Sequence, residues 1–104
     1  LTLQYLLKHK HLGLDVLLLS PAMGGLRVKW HRCNDRICKS LRLVTGTYDP
    51  VCPIQLAQDF AALHDYVSLN LVAGAGHDLP HHEVRAELAS FLSDVAKAAP
   101  KESL

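Results

Sequence analysis

The stretch LRLVTGTYDPVCP at residues 41–53, followed at residues 67–78 by VSLNLVAGAGHD, decides how this chain folds. In the first, Leu41, Leu43, Val44 and Thr45 form an apolar, β-branched run that extends to about residue 47. Gly46 and the turn-rich Asp49-Pro50 and Pro53 close it, which reads as a strand running into a loop. Pro53 suits the first turn of a helix, because its missing N–H would have no intrahelical partner there. Leu56, Ala57, Phe60, Ala61 and Leu63 supply the apolar stripe of that helix, which is predicted to run to about His64. Val67 to Ala73 reads as the next strand, and Gly74-Ala75-Gly76-His77-Asp78 as the loop after it. From about His81, the spacing of Val84, Leu88, Phe91, Leu92 and Val95 predicts an amphipathic helix that ends before a polar tail at Pro100.

Toward the N-terminus, Leu3, Leu6 and Leu7 have helical spacing, and Lys8, His9 and Lys10 stand where cations suit the end of a helix dipole. A short helix is predicted from Leu1 to His11, with Gly13 as its stop. Leu14 to Ser20 is then a near-continuous apolar run, the pattern of a strand covered on both faces of a parallel sheet, ended by Pro21 and Gly24-Gly25. The chain thus divides into a helix plus strand over 1–25, a basic link over 26–40, a strand–helix–strand–helix unit over 41–97 and a tail over 98–104. Strands alternating with helices build a parallel sheet, giving an α/β class. Three strands are few for an open parallel sheet, so a single partial domain, one flank of a larger sheet, is expected.

Composition narrows the function classes. At 104 residues with 49% hydrophobic and 20% charged residues, the chain has one modest core and is no disordered segment. No apolar run approaches the roughly 20 residues of a membrane span. Eleven Lys+Arg against ten Asp+Glu are too balanced for a general polyanion binder. Three cysteines, Cys33, Cys38 and Cys52, are an odd count that favours a reducing compartment over a disulfide framework, so a cytoplasmic location is expected. The start at Leu1 reads as a cut or processed end and not as a signal peptide.

In open parallel sheets, ligands bind beyond the carboxyl ends of the strands, which singles out Asp49 and His77. If adjacent strands carry them, a carboxylate at 49 can accept the imidazole Nδ1–H at 77, fix its tautomer and stabilise the imidazolium formed in general-base work. Taken alone, an Asp-Pro after a strand is ordinarily a turn starter and a Gly-His-Asp sequence ordinarily a loop. Together, residues 43–53 resemble the pattern hhhGxxDxhhP and residues 73–78 resemble hxGxGH, the acid and histidine segments of the α/β-hydrolase superfamily. Their order, and the roughly thirty residues of strand, helix and strand between them, also resemble that fold. The similarity covers about the last two thirds of the chain. It implies a parallel-sheet flank of an α/β-hydrolase fold, acting on a carboxylic ester or thioester, with Asp49 orienting His77 and His77 activating a serine on another strand. No cofactor is implied.

The nucleophile has no match. No Gly-x-Ser-x-Gly occurs, and Ser20, Ser40, Ser68, Ser90, Ser93 and Ser103 lack the elbow signature. Two alignments compete. In one, Leu1 to His11 resembles the tail of the helix after the nucleophile and residues 14–21 the next strand, so that the serine precedes Leu1. In the other, residues 12–25 resemble the nucleophile strand and elbow, with Ala22 where the serine belongs. The second leaves only about fifteen residues for a helix, a strand and their connections, and length favours the first. On that alignment the strand 14–20 exposes an edge open to association, and the short connection after it argues against a large cap domain. The second function class is therefore a non-catalytic hydrolase-like module that binds a protein partner through this edge or through the basic segment.

Other clusters carry weaker signals. His77 and His81 have the spacing of two ligands on one helix, but Pro80 interrupts any such helix, and His81 and His82 read as solvated residues at a helix start. His31, Cys33 and Cys38 lack a fourth ligand, so no metal is expected. Arg27, Lys29, Arg32, Arg36, Lys39 and Arg42 surround Trp30 without any nucleic-acid module signature and read as a solvated link. Tyr48 and Val51 read as packing residues of their loop, and Cys52 as a small buried hydrophobe.

Overall fold

In the computed structural model, which describes His9, residues 11–21, Met23 and residues 36–98, three parallel strands form one sheet. The elements are β1 (His11–Leu19), β2 (Cys38–Gly46), α1 (Ile54–Leu63), β3 (Val67–Val72) and α2 (His81–Ala98), and the sheet order is β1-β2-β3. The expected alternation and parallel sheet are therefore present.

Two strand starts differ from the sequence reading. β1 begins at His11, so Gly13 lies inside a strand and does not stop a helix; apart from His9, the rest of the helix expected from Leu1 lies outside the described residues, Lys8 and Lys10 included. β2 begins at Cys38, because Cys38 pairs with His11 across the sheet and extends the ladder into what read as the end of the basic link. Residues 26–35 of that link and Ala22 lie outside the described residues.

Register explains how the sheet divides its two faces. Val16 stands opposite Leu41 and Leu41 opposite Val67; two residues on, Leu18 stands opposite Leu43 and Leu43 opposite Leu69. These rows lie on one face because side chains alternate along a strand. They pack with Met23, Ile37, Cys38, Cys52, Ala57 and Phe60 into the core. Phe60 is fully buried, and truncating such a side chain to alanine costs about 3–5 kcal/mol. The intervening row brings Leu17, Arg42 and Ser68 to the opposite face. There Arg42 pairs with Asp94 of α2 and stacks over Phe91, while Asn70 bonds Glu87.

α1 starts after Pro53, whose carbonyl accepts the N–H groups of Leu56 and Ala57, and stops where His64 turns extended. Leu63, expected in its apolar stripe, is exposed. α2 starts after Pro80 in the same way, with Glu83 in its first turn and Lys97 in its last, each sign matched to the helix dipole. Val84, Phe91 and Val95 are half-buried, but Leu88 and Leu92 of the same predicted stripe are exposed.

Two-faced burial holds for β2, where Leu41, Leu43, Val44 and Thr45 are buried. It fails for β1, where Leu12 and Leu14 are exposed and Val16 to Leu18 only half-buried. The reason is position: β2 is the central strand, whereas β1 pairs with one strand among the described residues. No described helix is long and apolar enough to cross a membrane.

Candidate functional site

Asp49 and His77 come together at the carboxyl ends of β2 and β3. The His77 Nδ1 lies 3.0 Å from Oδ2 of Asp49 and 3.3 Å from Oδ1. An ionised carboxylate only accepts hydrogen bonds, so in this contact Nδ1–H donates and Nε2 is left for another group. The Asp49 side chain is fully buried, while the His77 side chain is 43% exposed. The pair thus has a buried anchor and an accessible base.

The turn after β2 builds the anchor. Asp49 N–H donates to the Gly46 carbonyl, and Oδ1 of Asp49 accepts the N–H groups of Val51 and Cys52 at 2.8 and 2.9 Å. Burial pushes the Asp49 carboxyl up, but the Cys52 N–H, the His77 ring, the Val51 N–H and the imidazole charge outweigh it and hold the group below its ordinary value of 3.8. Asp49 is thereby kept as an anion at neutral pH.

A second set of contacts ties the two loops to each other. Thr47 N–H donates to the Val72 carbonyl, Tyr48 N–H to the Ala75 carbonyl, and Gly74 N–H to Oγ1 of Thr47. Gly46 makes this approach possible, because a Cβ there would sit 2.1 Å from the Ala75 carbonyl oxygen and 2.5 Å from that of Gly76. Gly74 adopts φ +77°, the left-handed region that glycine enters without steric cost. In the sequence Gly46 read only as a strand stop; the signal for its larger role was a glycine between a buried strand and a carboxylate-bearing turn. Tyr48 and Val51 do not pack the loop as expected. Tyr48 is 77% exposed and Val51 is exposed.

His77 borders an open cavity of about 430 Å³ whose other walls include Ser20, Asp78, Leu79, His81 and Val84. Ser20 follows the last residue of β1, so the ends of β1 and β3 meet on this rim, and Asp49 after β2 reaches it through His77. His77 lies in the loop before Pro80 and His81 opens α2, so the two imidazoles do not share a helix face. His81 and His82 are exposed, as expected of a helix start. Nearby Cys52 is buried, and burial chiefly pushes its thiol up, as it pushes the Cys38 thiol up to about 11. Neither is a ready thiolate nucleophile. Cys33 and His31 lie outside the described residues.

A separate cavity of about 300 Å³ lies at the opposite end of the strands, between α2 and the sheet, lined among others by Asp15, Ser40, Arg42 and Asp94. Asp15 accepts from the Ser40 hydroxyl there, and Arg42 pairs with Asp94. Of the six clustered cations, Arg36 stacks on Tyr66 and pairs with Asp65, Arg42 is bound as above, Lys39 is exposed, and Arg27, Lys29 and Arg32 lie outside the described residues.

No family profile, no curated protein and no solved structure matches this chain.

Proposed function

We propose that this chain is the acid–histidine portion of an α/β-hydrolase-type serine hydrolase acting on a carboxylic ester or thioester, with Asp49 and His77 as the acid–base pair and the serine outside this chain. The observation that carries the reading is the Asp49–His77 contact at 3.0 Å, made from the ends of two adjacent parallel strands. In this mechanism the serine hydroxyl attacks the acyl carbon while His77 takes its proton at Nε2. The negative charge on the carbonyl oxygen falls to backbone N–H donors elsewhere in the enzyme. Asp49 stays ionised and stabilises the imidazolium. His77 then protonates the leaving alcohol or thiol, and water releases the acid by the same route in reverse.

The test is labelling by a fluorophosphonate and hydrolysis of an activated ester, run on this chain and on the longest natural product that contains it. Labelling and turnover of the longer protein, both lost in His77→Ala, are the expected result. An unreactive longer protein ends the hydrolase reading.

A second reading, a non-catalytic module that binds a protein partner through the edge of β1, is favoured by one observation: Leu12 and Leu14 are 59% and 51% exposed on a strand with a single partner among the described residues. Unpaired strand edges with apolar side chains pair readily with further chains. An inert protein that binds a partner, and loses it on Leu14→Lys, would favour this second reading.

A further inference from the structure

Ser20 departs from what surrounds it in three ways. Its φ is +51°, and it is the non-glycine residue in the left-handed region among those described. Serine enters that region at a steric cost, so the backbone persists there because something else fixes it. Here the fixing contact is the Ser20 N–H, which donates to the Val44 carbonyl at 2.7 Å and carries the β1–β2 ladder one residue past the strand. Its Oγ is screened from solvent and has no hydrogen-bond partner among the described residues. Enclosed hydroxyls are nearly always bonded, and one that is not calls for a reason. Finally, the residue borders the cavity that His77 also borders.

We propose that Ser20 is a specificity-determining residue of this cavity and that its hydroxyl is kept for a hydroxyl carried on the acyl group of the substrate. This rests on the hydrolase reading for the acyl group, while the recognition itself is a binding event that needs no nucleophile. Leu19, Leu79 and Val84 give the cavity apolar lining suited to an alkyl chain, and His77 borders the same cavity. A serine hydroxyl both donates and accepts, which matches a ligand hydroxyl better than a bare methylene. The assignment requires Oγ to turn from its enclosed position toward the cavity, where the ligand supplies the hydrogen bond that the unliganded protein lacks. A polar group left unpaired in this way discriminates against analogues without the matching oxygen.

The experiment is a titration of the chain with racemic 3-hydroxybutyrate and, separately, with butyrate, following the Ser20 amide and the His77 ring by NMR. The hydroxylated acid is expected to bind about fivefold more tightly and to shift both residues. Ser20→Gly removes the hydroxyl while easing the left-handed backbone, so it is expected to stay folded and to bind both acids alike. Ser20→Asn tolerates the same backbone and restores part of the preference. Equal affinities in the native chain, absence of binding, or a preference that survives Ser20→Gly would each overturn the assignment. An unreactive longer protein that keeps the preference would instead sink the hydrolase chemistry and leave the Ser20 role standing.

Discussion

The imidazole of His77 is held by the carboxylate of Asp49, from 28 residues away in sequence, through an Nδ1 contact of 3.0 Å. The tautomer follows from the chemistry of the partner. Asp49 is held in its anionic form and can only accept, so neutral His77 carries its proton on Nδ1. Nitrogen-15 spectra of the His77 ring are expected to show the Nδ1–H tautomer as its neutral form. Asp49→Asn should redistribute the ring toward the Nε2–H form. In a hydrolytically active protein the same change should lower kcat by about 10⁴-fold, as the loss of tautomer control does in serine proteases.

Acid stability carries the mark of Asp49. Its carboxyl is lowered below 3.8 in the folded chain, so the unfolded chain binds a proton more readily. The stabilisation is therefore fully present above pH 3.8 and is lost as pH falls through the lower folded value. Thermal melts are expected to show the native chain losing its advantage over Asp49→Asn across that acidic window and keeping it at pH 6. A constant difference in Tm from pH 6 down to pH 2 would contradict this.

Gly46→Ala places a methyl group against the Ala75 carbonyl, a backbone atom that cannot swing aside. The loops must separate, and the bonds from Tyr48 N–H to Ala75 and from Gly74 N–H to Thr47 are the first to stretch. A loss of about 2–4 kcal/mol in urea unfolding is expected, since overpacking against fixed atoms falls at the costly end of single substitutions. The His77 ring should also lose its fixed tautomer. Gly74→Ala meets open space but a positive φ, so its effect should be confined to backbone strain of about 1–2 kcal/mol.

Buried thiols should resist alkylation. Cys38 and Cys52 are fully buried, and burial chiefly raises both thiols above their ordinary value of 9.0. Peptide-resolved mass spectrometry after iodoacetamide at pH 7.5 is expected to leave both unmodified in the native chain and to find both modified in urea. Rapid native labelling of Cys52 would mean that the turn after β2 opens far more often than its hydrogen bonds allow.

The sequence alone determined the alternation of strands and helices, the two loops that matter and the residues in them. Apolar periodicity and turn chemistry are local properties, and residues 41–78 display both without interruption. It could not determine where β1 begins, because Gly13 carries the same local signal whether it ends a helix or sits within a ladder. That choice fell to the pairing of His11 with Cys38, a contact between residues far apart in the chain. Nor could it tell that Tyr48 faces solvent, that Leu63, Leu88 and Leu92 remain uncovered, or that Gly46 is the point where two backbones touch. Burial and close approach depend on what the rest of the fold places opposite a residue, and only the packed sheet supplies that partner.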